Sequence, residues 1–287
     1  MYVMAMSRTR NLRKMNCNPS VVGKSFNGSC YTPKIIKKIK RAYNKKNKTK
    51  KIIGIDTQTI YKELTEKLKC KDESCWLKQL NGPEKKFLHD KTFSPNKPNK
   101  WIDNPVEWLS NFDILNVMKQ YEEKYTNFKF IGPTPIDFNS TPSNDGKCVW
   151  QDLCDFQLQK YKKSGFNKIG VIFNLDKHNE SGSHWVSLFI SVTDNIIYYF
   201  DSAANEIPNE ISKFVKLILL QSNNKLKFFT NIPKQHQYGN TECGMYSLYF
   251  LITMLDESIK MKRKIDLFSN KRLNDKFIQS FRKKYFN

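Results

Sequence analysis

The sequence has no long apolar run. Hydrophobic residues make up 39% of its 287 positions, yet no uninterrupted apolar stretch approaches the roughly 20 residues that cross a bilayer. The amino terminus also lacks the apolar core of a secretory signal peptide. We therefore expect no membrane span and an unsecreted, soluble protein, because this apolar content is enough for a globular core.

Cysteine is scarce, and the total is odd. The seven cysteines show no regular framework, a pattern that fits a reducing compartment better than a disulfide scaffold; they are Cys17, Cys30, Cys70, Cys75, Cys148, Cys154 and Cys243. Cys70 and Cys75 resemble half of a zinc site, but no second pair of Cys or His follows at ligand spacing. We expect no metal ion and no other cofactor.

Acidic residues are few, and the shortage is concentrated in one third of the chain. Residues 1–100 hold 25 of the 49 Lys and Arg residues but only 7 of the 27 Asp and Glu residues. Residues 34–51 are dense enough in charge to bind a polyanion by counterion release. The alternative is a solvated basic surface in a composition rich in Lys and Asn. No helix-turn-helix, zinc-finger or RNA-recognition motif is present, so any nucleic-acid contact would be independent of sequence.

Helical and strand patterns alternate along the chain. Pro95, Pro98 and Pro105 mark a linker, which separates a basic, mainly helical extension (residues 1–100) from a core domain (residues 101–287). The predicted helices are residues 34–44, one or two helices within 55–80, 108–125, 152–163, 210–220, 245–255 and a tail from 270; the predicted strands are 168–174, 185–192, 196–201 and 225–230, with a turn at 132–135. This order favours the α+β class, with a mixed central sheet flanked by helices.

One cysteine has the setting of a nucleophile. Cys243 stands between the polar stretch 237–242 and the apolar run 245–255, whose spacing predicts a buried helix. At the first turn of that helix, the helix dipole would favour the thiolate, which is the reactive form of the side chain. The alternative is that Cys243 is a small buried hydrophobe, as many free cysteines are.

A base and a carboxylate are predicted at one edge of the sheet. His184 opens one predicted strand, and Asp201 ends the next strand, to which a short turn at Asp194 and Asn195 connects it. Paired as a hairpin, the two strands bring both residues to the same edge. Each residue is also common at a strand end for reasons of turn formation and solvation, so the pairing alone does not prove a catalytic role.

The chain order His184, Asp201, Cys243 excludes a papain-like arrangement, in which the cysteine comes first. The joint pattern resembles the SUMO-protease and adenain superfamily of cysteine peptidases; its parts are His184-Trp185, Asp201-Ser202, Gln237 and Glu242-Cys243-Gly244. The resemblance implies that His184 is the base, Asp201 the acid that orients it, and Cys243 the nucleophile. It also implies a fold with the cysteine helix packed against the sheet.

The same resemblance assigns three further residues. Gln237 would donate a hydrogen bond to the oxyanion; Gln235 is its rival by residue type, but Gln237 stands at the family's distance from the cysteine. Trp108 lies in a Trp-Leu pair that is similar to the family's entry motif. Trp108 and Trp185 would then wall a narrow channel that admits small residues.

The basic, helical extension in front of a catalytic core resembles the virion-maturation proteases of large cytoplasmic DNA viruses. This resemblance implies an endopeptidase that cleaves structural polyprotein precursors after small residues, at sites such as Gly-Gly-Xaa. It would act in the virion and at the viral assembly site in the host cytoplasm. Two alternatives remain open: an isopeptidase or processing protease for a SUMO- or ubiquitin-like modifier, and a nucleic-acid-associated protein with an inactive protease-like core.

Overall fold

The computed structural model describes residues 12–26, 28–142 and 146–287. These residues form two compact units. The first unit contains the described residues up to Asn96 together with Tyr285–Asn287, and the second contains Lys97–Lys284. Within the described ranges, no helix combines the length and the apolar character needed to cross a membrane.

The first unit is helical and has its own core. Its helices are α1 (Pro33–Lys46), α2 (Thr57–Leu68), a 3-10 helix (Glu73–Gln79) and α3 (Gly82–Thr92). The side chains of Thr32, Asp56 and Asn81 cap the three α-helices. Each accepts a hydrogen bond from the backbone N–H three residues further along the chain, a donor that the first turn of a helix leaves free. The helix predicted at 34–44 is confirmed as α1, and its apolar side, Ile36, Ile39 and Tyr43, is buried in this core.

The pairing of the cysteines differs from the expectation. Disulfides join Cys17 to Cys30, Cys70 to Cys75, and Cys148 to Cys154, and the remaining cysteine, Cys243, is free. The expectation that the cysteines form no framework is therefore wrong. The physical reason is that pairing depends on Cα separations, here 5.1, 6.0 and 6.3 Å, and the linear order of cysteines does not reveal them. As a disulfide, Cys70 and Cys75 offer no thiolate to zinc.

A five-stranded mixed sheet forms the centre of the second unit. Its strands are β1 (Phe128–Pro135), β2 (Lys168–Asn174), β3 (Trp185–Ser191), β4 (Ile196–Phe200) and β5 (Lys227–Thr230), and they lie side by side in chain order. The outer pairs, β1 with β2 and β4 with β5, are parallel, whereas β2, β3 and β4 are antiparallel. The central strands are buried throughout β3 and β4, as expected for a sheet covered on both faces.

Helices cover both faces of this sheet, which confirms the predicted α+β fold. The helices from residue 97 onward are a 3-10 helix (Asn99–Ile102), α4 (Asn111–Lys124), α5 (Gln151–Cys154), α6 (Leu158–Lys163), α7 (Asn209–Gln221), α8 (Cys243–Leu255), α9 (Met261–Asn270), α10 (Asp275–Ser280) and α11 (Arg282–Tyr285). Ile211, Phe214 and Ile218 of α7 join the core on one face. On the other face, the ring of Phe250 in α8 stacks on Phe200 of β4, with 4.8 Å between ring centroids.

Three predicted boundaries are wrong. The segment 132–135, predicted as a turn, is the second half of β1, because an edge strand with a register break between Ile131 and Thr134 tolerates proline and glycine. Residues 152–163, predicted as one helix, form the two short helices α5 and α6. The helical tail begins before residue 270, since α9 starts at Met261.

Candidate active site

The nucleophile candidate begins the buried helix α8. Cys243 is the first residue of α8, Glu242 is its N-cap, and the Cys243 side chain is buried with 2% exposure. Eleven of the thirteen residues of α8 are buried, so the helix cannot rotate or slide without opening the core. The sulfur is therefore held at the positive end of a helix dipole, where a thiolate is favoured.

The hairpin of β3 and β4 brings His184 and Asp201 together, as the sequence pattern predicted. Ser187 pairs with Phe200 across the hairpin, so the residue that precedes β3 and the residue that follows β4 lie at one edge. Nε2 of His184 is 2.6 Å from Oδ1 of Asp201. The Asp201 carboxylate is fully buried and accepts two further bonds, from the backbone N–H groups of Ala203 and Asn205 at 2.9 and 3.0 Å. These donors compensate its charge.

Cys243 is the second group that acts on the pKa of His184, so the ring is influenced by both the thiol and the carboxylate. Burial by itself would lower the pKa of His184, but the hydrogen bonds and charges of Asp201 and Cys243 outweigh burial and raise the pKa to about 10. The ring is therefore charged at neutral pH. Because an unfolded histidine titrates near pH 6.5, this pair stabilises the fold fully below about pH 6.5, and the contribution is lost as the pH rises towards about 10.

Asn231 is a residue of this site that the sequence analysis missed. Its side chain bonds both backbone groups of Asp201: Oδ1 accepts from the Asp201 N–H at 3.0 Å, and Nδ2 donates to the Asp201 carbonyl at 2.7 Å. Nδ2 also donates to the carbonyl of Lys234 at 2.8 Å. Asn231 thus ties the end of β4 to the segment that follows β5. Nothing in the local sequence marks this role, since an Asn-Ile-Pro stretch also fits an ordinary turn.

Gln237 lies beside the site on a loop that is anchored to Ser202. Its backbone N–H donates to the Ser202 carbonyl at 2.8 Å, its Oε1 accepts from the Ser202 hydroxyl at 2.7 Å, and its Nε2 donates to the Gly239 carbonyl at 2.8 Å. One amide hydrogen of Nε2 is therefore left for another acceptor. Gln235, the rival residue, is exposed and donates to the carbonyl of Gln237. The role of Gln237 at an oxyanion remains a prediction.

His236, the neighbour of Gln237, has a structural role. Its Nδ1 accepts from the backbone N–H of Leu273 at 3.1 Å, and its Nε2 is 2.9 Å from the carbonyl of Phe268. Burial lowers the pKa of His236, and the neutral ring satisfies both bonds. His236 therefore fixes the loop of Gln237 to the segment around α9 and does not compete with His184 as a base.

The two predicted tryptophans line one cavity, which we call the tryptophan cavity. Its volume is about 460 Å³, and its walls include Trp108, Pro133, Val149, Trp150, Asn174 and Trp185. Trp185 follows His184 in the chain and donates from Nε1 to the Leu109 carbonyl at 3.2 Å. A Cβ on Gly244 would lie 3.1 Å from Leu109 and 3.3 Å from Trp185. The residue after Cys243 therefore has to be small, and its two neighbours, Leu109 and Trp185, also line the cavity.

Metal-ligating side chains are not clustered in the described part of the chain. Across those ranges, no group of three or more His, Cys, Asp or Glu side chains is arranged to hold a metal ion.

Comparisons with known proteins point to one family. Residues 167–287 match the Ulp1 protease family, C-terminal catalytic domain. A protein of Acanthamoeba polyphaga mimivirus, a thiol protease by name, is 34% identical over 193 residues, which are 65% of this chain and 59% of the relative. A cysteine protease from a Malawi tick isolate of African swine fever virus is 28% identical over 225 residues, 70% of this chain and 81% of the relative. The chain thus spans less than two thirds of the mimivirus relative.

The fold has a close counterpart among solved structures. The crystal structure of a protease of African swine fever virus aligns with a TM-score of 0.65 and 20% identity, covering 99% of both chains. At this identity the likeness concerns the fold, and it confirms the predicted α+β architecture. The predicted resemblance to the SUMO-protease superfamily is also confirmed. The matched family and the named relatives are cysteine peptidases, which is the enzyme class that the motifs predict.

Asp201→Asn should move the alkaline limb of the kcat/KM profile to lower pH. Loss of the carboxylate charge removes the main stabilisation of the imidazolium, and burial then lowers the pKa of His184. His184 therefore loses the proton that it gives to the leaving group at a lower pH. At about pH 8 we expect kcat/KM to fall roughly 10³- to 10⁴-fold, with a smaller loss near pH 6. The measurement is a pH–rate profile with a fluorogenic peptide.

A second His–Asp pair provides the matched control. Nδ1 of His178 is 2.6 Å from Oδ2 of Asp137, and Asp137→Asn removes the same charge from that pair. This variant should keep the wild-type alkaline limb. An Asp201→Asn profile whose alkaline limb stays in the wild-type position would contradict the assigned role of Asp201.

Proposed function

We propose that this chain is a cysteine endopeptidase that cleaves protein precursors after small residues, at sites such as Gly-Gly-Xaa. The observation that carries the proposal is the grouping of Cys243, His184 and Asp201, which we call the relay, together with a cavity walled by Trp108 and by Trp185, the residue that follows His184. The named relatives are viral proteases, and the proposed precursors are structural polyproteins that are processed during virion maturation. In this proposal, the enzyme works in virions and at assembly sites in the host cytoplasm.

The mechanism follows from the position of His184. In the resting site the ring already holds the proton that Cys243 gives up, as an imidazolium paired with Asp201, and the sulfur is left as the thiolate. The thiolate attacks the peptide carbonyl, and the resulting oxyanion is stabilised by the backbone N–H of Cys243 and by the free amide hydrogen of Gln237; one such donor contributes about 3 kcal/mol. His184 then protonates the leaving amine, and the C–N bond breaks to leave a thioester. Water, deprotonated by His184, hydrolyses the thioester and restores the thiol.

The proposed restriction to small residues rests on the family resemblance of Trp108 and Trp185, and tight packing around the residue after Cys243 supports it. Even a single methyl group on Gly244 would meet Leu109 and Trp185 at the lower limit of van der Waals distance, and Trp185 is itself nearly buried, with 8% exposure. Trp108 is 39% exposed, so part of its ring is open to a bound chain. A substrate backbone that passes between these rings has room for glycine and meets a steric penalty with branched side chains.

The alternative substrate is a folded SUMO- or ubiquitin-like modifier. This alternative uses the same chemistry, and the match to the Ulp1 family supports it. It differs in its requirement for a broad surface that docks the modifier. The second alternative, an inactive core in a nucleic-acid-associated protein, does not explain why the nucleophile, base and acid positions are all filled, with the base bonded to the acid.

Cleavage of two substrates separates these functions. We expect the wild-type enzyme to cut a fluorogenic peptide that contains Gly-Gly-Ala, Cys243→Ala to cut nothing, and an intact SUMO-like precursor to stay uncut. A matched peptide with Val-Val-Ala should be cut at least about 10-fold less efficiently, because the cavity excludes branched side chains. Cleavage of the precursor alone would favour the modifier protease, and no cysteine-dependent cleavage of either substrate would favour the inactive core.

We also propose a sequence-independent contact with nucleic acid through residues 34–51. The structure exposes one side of α1, opposite its buried apolar side, and the exposed basic residues there include Lys37, Arg41 and Lys45 at a spacing of four. This spacing places them along one stripe of the helix. A stripe of cations on a helix surface attracts phosphates without reading bases.

Substitution is a better test of this contact than deletion, because α1 contributes Ile36 and Ile39 to a core. The triple change Lys37→Gln, Arg41→Gln and Lys45→Gln should weaken binding to duplex DNA and reduce the salt slope by up to about 2.7. The control is a triple change of exposed lysines on and after α7, namely Lys213→Gln, Lys216→Gln and Lys225→Gln. Equal effects of the two triple changes, measured by fluorescence anisotropy at several salt concentrations, would refute a local contact.

A further inference from the structure

Arg282, on the short helix α11, bonds two segments that lie on either side of the site. We propose that Arg282 is a positioning residue that fixes the turn carrying Cys243 relative to the segment that carries Trp108. The proposal rests on the proposed peptidase function and adds a residue outside the relay. Arg282 is 5% exposed, so its charge is compensated by the protein itself rather than by solvent.

On the nucleophile side, Arg282 bonds the two residues before Cys243. Its Nε lies 2.9 and 3.1 Å from the two carboxylate oxygens of Glu242, and one of its terminal nitrogens donates to the carbonyl of Thr241 at 3.3 Å. Glu242 is the N-cap of α8 and is 3% exposed. Burial raises the pKa of Glu242, and the hydrogen bond and charge of Arg282 oppose that effect. The guanidinium therefore helps to keep a carboxylate directly before the nucleophile.

On the cavity side, Arg282 holds the backbone just before Trp108. Its terminal nitrogens donate to the carbonyl of Glu107 at 2.8 Å and to the carbonyl of Val106 at 3.2 Å. The guanidinium carbon also lies 4.4 Å from the ring centroid of Trp101, a cation–π distance. Because two consecutive carbonyls are held, the backbone immediately before Trp108 has little freedom to move.

These contacts form a closed chain of neighbouring residues that connects Cys243 with the wall of the tryptophan cavity. From Arg282 the path runs through Glu242 and Cys243 to Gly244, whose Cα faces Leu109. Leu109 accepts the Nε1–H of Trp185 and follows Trp108, which Arg282 holds through the preceding carbonyls. A shift of the guanidinium would therefore change the gap between the nucleophile and the tryptophan cavity. A displacement of about 1 Å in a reacting geometry can cost roughly 100-fold in rate.

The geometry requires an arginine. A guanidinium presents five N–H donors in a plane, and Arg282 uses them on four acceptor groups. A lysine ammonium is a point charge with three donors and cannot span these groups. Arg282→Lys should therefore fail to replace Arg282, although the charge is kept. The double change Glu242→Gln with Arg282→Met removes both buried charges together, which avoids an unpaired ion and favours retention of the fold.

The test compares how two electrophiles label Cys243. Iodoacetamide needs only a reactive thiolate, whereas a Gly-Gly peptide vinyl sulfone must also enter the tryptophan cavity before the sulfur adds to its double bond. For Arg282→Lys and for the double variant, we expect the peptide labelling rate to fall about 10- to 100-fold, while the iodoacetamide rate stays within about twofold of wild type. Arg263→Lys, at an exposed arginine of α9, is the control and should keep both rates.

Denaturant titration first establishes which variants are folded under the labelling conditions; if Arg282→Lys is not folded, the double variant decides. Wild-type peptide labelling in the folded double variant would overturn the proposal. An equal fall of both rates would also overturn it, because the effect would then lie in the thiolate or in global stability. The ratio of the two rates does not depend on turnover. Failure of the peptidase function would appear separately, as absent Cys243-dependent cleavage by the wild-type enzyme.

Discussion

One hydrogen bond, 2.6 Å long between Nε2 of the half-buried His184 and Oδ1 of the buried Asp201, is the interaction on which the site depends. The Asp201 carboxylate is fully buried, and an unpaired charge there would be costly. The imidazolium of His184 and two backbone N–H groups compensate it. In return, the carboxylate keeps the ring charged. The same contact therefore stabilises the fold and, in the proposed mechanism, prepares the base that acts on Cys243.

The fold holds this pair in place through three independent constraints. The hairpin register sets which ends of β3 and β4 meet. Asn231 bonds both backbone groups of Asp201, so the backbone that carries the carboxylate is fixed, and the N–H groups of Ala203 and Asn205 hold the carboxylate itself. Helix α8 is buried on nearly every side, so the sulfur comes to the pair at a fixed position. Each constraint comes from a different part of the chain, and the relay forms only when all three have folded.

The sequence predicted the parts of this arrangement that depend on local pattern. β3, β4 and α8 have clear apolar periodicity, and the residues at their ends, His184, Asp201 and Cys243, follow from it. Long-range partners were not predicted: Asn231 and Arg282 act through separations of 30 and 40 residues, and their local sequence fits a turn or a basic tail. The disulfides and the edge strand β1 were missed for a related reason, because Cα proximity and an edge position are properties of the assembled fold.

The central claim is that Cys243 exists as a thiolate paired with the His184 imidazolium. The most direct measurement is the rate of Cys243 alkylation by iodoacetamide at about pH 6, in wild type and in His184→Ala, with Cys243→Ala as the blank. At this pH an ordinary thiol is almost entirely protonated. We predict that the wild-type protein reacts at least about 10-fold faster than His184→Ala, since only the ion pair supplies thiolate there. Equal, slow alkylation of the two proteins would contradict the account.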